Sequence, residues 1–202
     1  YYNSALGVTV DLSNGAASGG DAAGDQIDGF ENISGSNTGN DTLTGSSGTN
    51  VLLGRGGNDS LDGGAGSDRL IGGSGDDTYR FSRGGGADTV DNIGESASGD
   101  MVLFGPTIDF DQLWFRQVGN DLEVSVIGTT DSVTVDEWYA GTSNQLDFDD
   151  GSGYTLAAAN VDALRSVMAA FDPPAFGETE LGSSATDYAA VISAIPTSWQ
   201  NT

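Results

Sequence analysis

Asp41, Asn50, Asp59, Asp68 and Asp77 stand nine positions apart, and two positions after each comes Leu43, Leu52, Leu61, Leu70 or Tyr79. Residues 36–80 therefore divide into five nonapeptides in register: SNTGNDTLT, GSSGTNVLL, GRGGNDSLD, GGAGSDRLI and GGSGDDTYR. A nine-residue unit with one inward hydrophobe has no core of its own and must bury that side chain against its neighbours. The period thus dictates a stacked architecture in which each unit touches only the next.

In the type unit GGAGSDRLI, Gly63, Gly64 and Gly66 permit a loop that turns through positive φ and aims carbonyl oxygens at one point. Asp68 adds a charged oxygen there, and Arg69-Leu70-Ile71 is a short strand with its middle side chain inward. Two loops and two strands close one turn of 18 residues. Asp41, Asp59 and Asp77 then line one edge, and Asn50 and Asp68 the other. Leu43, Leu61 and Tyr79 stack inside one sheet, with Leu52 and Leu70 opposite. The fold class expected is all-β: a parallel β-roll with two nonapeptides per turn, a β-rich C-terminal cap and a short helical tail.

Thirty acidic residues face six basic ones, all arginine, for a formal charge of −24. Two carboxylates about 5 Å apart repel by on the order of 3 kcal/mol at an effective dielectric near 20, so a compact form calls for bound cations. Carboxylate-rich, oxygen-only sites favour calcium; the alternative is the acidic surface of a salt-adapted protein. Nucleic acid and anionic membranes are unsuitable partners for this field. With no cysteine and no histidine, disulfides, zinc sites and Ser-His-Asp or Cys-His catalysis are excluded. Paired carboxylates of a glycosidase remain conceivable, but most aspartates have a structural role and Glu137-Trp138 is an isolated cluster, so the chain is not expected to be an enzyme. No apolar run is long enough to span a bilayer. The start at Tyr1-Tyr2-Asn3-Ser4, without methionine, suggests a piece of a longer polypeptide.

Four segments are expected. Residues 1–35 form an irregular N-terminal cap, with Val8, Val10 and Leu12 alternating as a strand and Ile27, Phe30 and Ile33 pointing inward; a disordered linker is the alternative. Residues 36–99 form the repeat body, ending in a degenerate unit in which Asp88 comes eleven residues after Asp77. Residues 100–156 form the β-rich cap. Its strands are MVLF at 101–104, LWFRQV at 113–118, LEVSVI at 122–127, 132–138 and 144–148, with a hairpin turn at Gly119-Asn120-Asp121. Residues 157–202 form the tail: a helix over 157–171, stopped by Pro173-Pro174, and a second over 185–195, ended by Pro196.

Calcium would sit between loops one turn apart, at Asp41/Asp59, Asp59/Asp77, Asn50/Asp68 and, across the slipped unit, Asp68/Asp88. Neutral Asn50 should weaken its site. The donors assigned are Asn37, Gly39 and Asp41 in the first loop, and Ser46, Gly48 and Asn50 in the second. Gly54, Gly56, Gly57 and Asp59 follow in the third, then Gly63, Gly64, Ala65, Gly66 and Asp68 in the fourth. Gly72, Ser74 and Asp77 serve in the fifth, followed by Asp88 and Asp100; three to five calcium ions are expected.

Over residues 36–91 the chain resembles the RTX (repeats-in-toxin) family, whose calcium-binding nonapeptide these units match. Residues 111–156, with DQLWFRQVGNDLEVSVIGTTDSVTVDEWYAG, resemble the haemolysin-type segment that follows such repeats. The resemblance implies a β-roll in a secreted or cell-surface bacterial protein. It also implies a type I secretion machinery as partner and an uncleaved export signal within about 157–202. The chain is then expected to be disordered without calcium and to fold outside the cell as a module of a larger protein. A second reading is a glycan- or cell-surface-binding adhesion module using Trp114, Trp138 and Tyr139, although alternation assigns these to the core of the cap, with Trp114 and Arg116 on one face and Phe115 on the other. The string DFDDG at 147–151 lacks EF-hand spacing and reads as a strand and turn.

Overall fold

The computed structural model describes residues 1–92, 99–141, 144–174, 181 and 189–201. The first strands are β1 (Thr9–Asp11), β2 (Ala16–Ser18), β3 (Asn32–Ser34), β4 (Thr42–Thr44) and β5 (Val51–Gly56). Then come β6 (Ser60–Asp62), β7 (Arg69–Ser74), β8 (Thr78–Phe81), β9 (Ala87–Val90) and β10 (Met101–Phe104). The cap contributes β11 (Leu113–Val118), β12 (Asp121–Val126), β13 (Ser132–Val135), β14 (Asp147–Asp149) and β15 (Tyr154–Leu156). Two helices, α1 (Ala158–Met168) and α2 (Ala189–Ser198), precede β16 (Trp199–Asn201). The chain is mainly β.

Successive repeat strands alternate between two sheets. One has the order β16-β15-β14-β10-β8-β6-β4-β1-β2, the other β11-β12-β13-β9-β7-β5-β3. Through the repeats the pairing is parallel and joins equivalent positions: Leu43 to Leu61 to Tyr79 in one sheet, Leu52 to Leu70 in the other. Both sheets are nevertheless mixed. Hairpins add antiparallel strands at their ends: β2 on β1, β11 and β12 beside β13, and β15 and β16 beyond β14. A hairpin needs only a short turn, whereas each parallel step needs a full crossover through the opposite sheet.

The inward residues Leu43, Leu52, Leu61, Leu70 and Tyr79 are all at most 2% exposed. One buried leucine contributes about 1.5–3 kcal/mol, against about 1–2 kcal/mol of backbone entropy for each of the residues it accompanies. The repeats are therefore poor in hydrophobic stabilisation. The cap is richer: Phe104, Phe148, Phe115 and Trp138, joined to Phe81 of β8, form a chain of ring contacts at centroid distances of 5.4–6.4 Å.

Several local expectations need correction. Phe30 is 60% exposed, and only Ile33 of its trio is fully buried. Trp114 and Phe115, on opposite faces of β11, are both buried, in line with the cap-core expectation; α1 packs against this edge strand, where Met168 Sδ accepts the Phe115 N–H at 3.3 Å. The strand expected at 144–148 lies at Asp147–Asp149, in register with β10. Helix α2 runs through Pro196 to Ser198 instead of ending before it, and the chain then joins β15 at Trp199. The part of the second predicted helix at 185–188 lies outside the described residues.

Candidate metal centre

Each aspartate of the repeat immediately precedes a strand, so parallel pairing stacks the aspartates as it stacks the leucines. Asp59 Oδ1 accepts the Asp41 N–H at 2.8 Å, Asp77 Oδ1 that of Asp59 at 2.7 Å, and Asp100 Oδ1 that of Asp77 at 2.8 Å. On the other edge Asp68 Oδ1 accepts the Asn50 N–H at 2.7 Å and Asp88 Oδ1 that of Asp68 at 3.0 Å. The two-residue slip before Asp88 is absorbed in Gly84-Gly85-Gly86, where Gly85 O accepts the Gly66 N–H, and Asp88 returns to register.

One carboxylate oxygen thus ties each turn to the preceding one. The second oxygen, Oδ2 of Asp59, Asp68 and Asp77, is buried without a hydrogen-bond partner. These residues are only 2%, 3% and 0% exposed. A buried acceptor left unpaired costs about 1–3 kcal/mol, and more when charged. Among the described residues the ion pairs join Arg69 to Asp91 and Asp136, Arg116 to Glu123 and Arg165 to Asp162, and none includes a ladder aspartate.

Glycine forms the wall facing each bare oxygen. A Cβ on Gly54 would lie 2.2 Å from Asp59 Oδ2 and 2.5 Å from the Gly72 carbonyl oxygen. Equivalent atoms on Gly63 and Gly72 would lie 2.4 and 2.1 Å from Asp68 Oδ2 and Asp77 Oδ2. Carbonyls of Asn37, Gly39, Ser46 and Gly48 also point between turns, each within 2.8 Å of where a Cβ of Gly56, Gly57, Gly64 or Gly66 would stand. Part of the assigned donor set is engaged in inter-turn bonds: Ser74 O accepts the Gly57 N–H and Ser46 O the Ala65 N–H.

Burial is the largest cause raising Asp59 and Asp88 to about 7 and Asp77 to about 6, with neighbouring carboxylates adding to it and the backbone bond at Oδ1 opposing it. Asp68 and Asp100 are raised for the same leading reason. Among the described residues no three acidic side chains converge on one point, so a cation here draws part of its shell from backbone carbonyls. An all-oxygen donor set of carboxylate and carbonyl groups, with glycine cradles and uncompensated charge, fits calcium.

Other assigned positions differ. Asp41 Oδ2 accepts the Ser36 N–H at 2.7 Å, and Asp100 Oδ2 accepts Asn92 Nδ2 at 3.1 Å. Asn50 Oδ1 accepts the Ser46 N–H at 2.6 Å while its Nδ2 donates to Glu31 O at 2.7 Å. Ser36, Asn92 and the Tyr79 hydroxyl, which accepts the Gly72 N–H and donates to Asn92 Oδ1, are site neighbours that the nine-residue period does not reveal. Asp131, whose carboxylate accepts the Gly84 and Gly86 N–H groups, lies outside the repeat and carries no periodic signal. Trp114 and Trp138 are 4% and 0% exposed and belong to the cap core.

Residues 35–70, 44–79 and 53–90 match the family model of the RTX calcium-binding nonapeptide repeat, which comprises four copies. Residues 121–158, spanning β12 to β15, match the haemolysin-type calcium binding protein related domain. The chain thus carries RTX calcium-binding nonapeptide repeats over residues 35–90 and a haemolysin-type calcium binding protein related segment over residues 121–158.

Proposed function

We propose that this chain is a calcium-dependent folding module, a β-roll that is disordered without calcium and folds outside the cell as part of a larger protein exported by a type I route. The observation that carries the reading is the set of bare, buried Oδ2 atoms of Asp59, Asp68 and Asp77 against glycine cradles. In this reading the ladder residues Asp41, Asn50, Asp59, Asp68, Asp77, Asp88 and Asp100 and the loop carbonyls between them hold three to five ions. Each ion offsets the repulsion of stacked carboxylates and satisfies oxygens that the protein leaves unpaired.

The energetics favour a switch. At a dissociation constant near 10⁻⁴ M, as in extracellular calcium modules, millimolar calcium adds about 1.4 kcal/mol per site, while sub-micromolar calcium adds almost nothing. Several coupled sites then separate an unfolded chain, suitable for export, from a folded one. The tail at 157–202 is the segment proposed to address the export machinery. Among the described residues no helix is long and apolar enough to cross a membrane. Isothermal titration of the chelated chain with calcium, followed in parallel by circular dichroism, tests the reading; an absence of binding at millimolar calcium contradicts it.

A further inference from the structure

The repeat loops adopt two conformations, and they differ at the residue that follows the entering glycine. Parallel pairing identifies that glycine as Gly35, Gly54 or Gly72 on one edge, and Gly45 or Gly63 occupies the same place on the other. Gly35 rather than Ser36 opens the first loop, which runs one residue longer to Asp41 than the later loops do to Asp59 and Asp77. The following residues are therefore Ser36, Ser46, Arg55, Gly64 and Gly73.

Where this residue is serine, the loop caps itself. The Ser36 N–H donates to Asp41 Oδ2 at 2.7 Å and its hydroxyl lies 3.1 Å from Asp41 Oδ1. Likewise the Ser46 N–H donates to Asn50 Oδ1 at 2.6 Å, with the hydroxyl 3.2 Å from the same atom. Neutral donors thus satisfy the oxygen that a cation would otherwise take. In the other three loops the residue is left-handed, with φ of 90° at Arg55, 86° at Gly64 and 106° at Gly73. The Gly64 N–H turns to Asp62 Oδ1, while Arg55 and Gly73 pair as a continuation of β5 and β7. These are the three loops whose Asp59, Asp68 and Asp77 keep a bare Oδ2.

We infer that the residue after the entering glycine selects between a self-capped loop that excludes calcium and an open loop that binds it, so that three of these five repeat loops are calcium sites, those at Asp59, Asp68 and Asp77. The inference rests on the calcium reading above and refines it. Arg55 shows the selection at work on a side chain that disfavours this backbone. Left-handed backbone is disfavoured for a non-glycine residue, and Arg55 is held there by stacking 4.6 Å over the Tyr2 ring and donating from Nε to Ser34 Oγ at 2.6 Å. Serine has no such clamp and takes the ordinary conformation. The rule reads directly from sequence: glycine, or a clamped arginine, opens a loop, and serine closes it.

The test counts bound calcium on the whole chain by titration calorimetry and native mass spectrometry. Ser36→Gly raises the count by one over the parent chain, as does the double variant Ser46→Gly with Asn50→Asp. Ser36→Ala keeps the parent count, since it removes the hydroxyl but not the N–H, and Arg55→Gly also keeps it. No gain in either opening variant overturns the selector while leaving calcium binding intact. A parent that binds no calcium overturns the calcium reading itself.

Discussion

Gly72→Ala is the sharpest single-atom perturbation of the ladder. Its φ is not left-handed, so alanine can adopt the backbone, and the effect arises from the added methyl alone. That carbon would stand 2.1 Å from Asp77 Oδ2, 2.6 Å from Asp77 Cγ and 2.7 Å from the Tyr79 hydroxyl. Ordinary contact begins near 3.4 Å, so the carboxylate must retreat by more than 1 Å, away from the position it shares with the glycine cradle. Overpacking of this kind costs about 1–3 kcal/mol. Loss of one site with a dissociation constant near 10⁻⁴ M removes about 2.7 kcal/mol more at about 10 mM calcium, for a total of about 4–6 kcal/mol. Gly48→Ala is the matched control, because its Cβ would meet only Ser46 Oγ at 3.8 Å; its effect should stay within about 0.5 kcal/mol. Urea melts of both variants in saturating calcium measure the difference. Equal stabilities would refute the claim that the glycine shapes a carboxylate cradle.

Protons and calcium should compete for the ladder. Asp59 and Asp88 sit near 7 and Asp77 near 6 in the folded form, against 3.8 when unfolded, so without calcium the folded state binds the extra protons between about pH 4 and 7. Folding without calcium is then favoured as pH falls through that window, while calcium affinity weakens over the same fall. Calorimetry at pH 8 and pH 5.5 checks this, and identical affinities would count against it. Trp138→Ala should destabilise the calcium-loaded chain by about 3–5 kcal/mol, because a fully buried indole leaves a cavity beside Phe148; a normally stable variant that loses glycan binding would instead support the adhesion reading. Asp77→Asn should raise the calcium midpoint in a dichroism titration, since it keeps a carbonyl acceptor for the Asp59 N–H but removes the charge; an unchanged midpoint would exclude Asp77 as a ligand.

The nine-residue period made the repeat legible because one leucine and one aspartate recur at fixed phase, and parallel pairing converts that phase into two stacked ladders. What the period cannot express was missed. Ser36 and Asn92 cap carboxylates through bonds set by loop conformation, and Gly35 enters the first loop one residue before the nine-residue frame begins. Phe30 followed a spacing that suggested burial, yet a short cap has too little opposing surface to cover it. In the cap, alternation placed Trp114 and Phe115 on opposite faces, but it could not show that α1 packs against β11 through Met168. Asp131 reached the glycine run 84–86 through tertiary contact alone.

Far-UV circular dichroism of the whole chain, first in excess chelator and then in about 10 mM calcium, tests the central claim that calcium supplies the stability the repeats lack. The account predicts a disordered spectrum in chelator and a reversible, cooperative change to a β-sheet spectrum with calcium. A β-sheet spectrum that is the same in both conditions would contradict it.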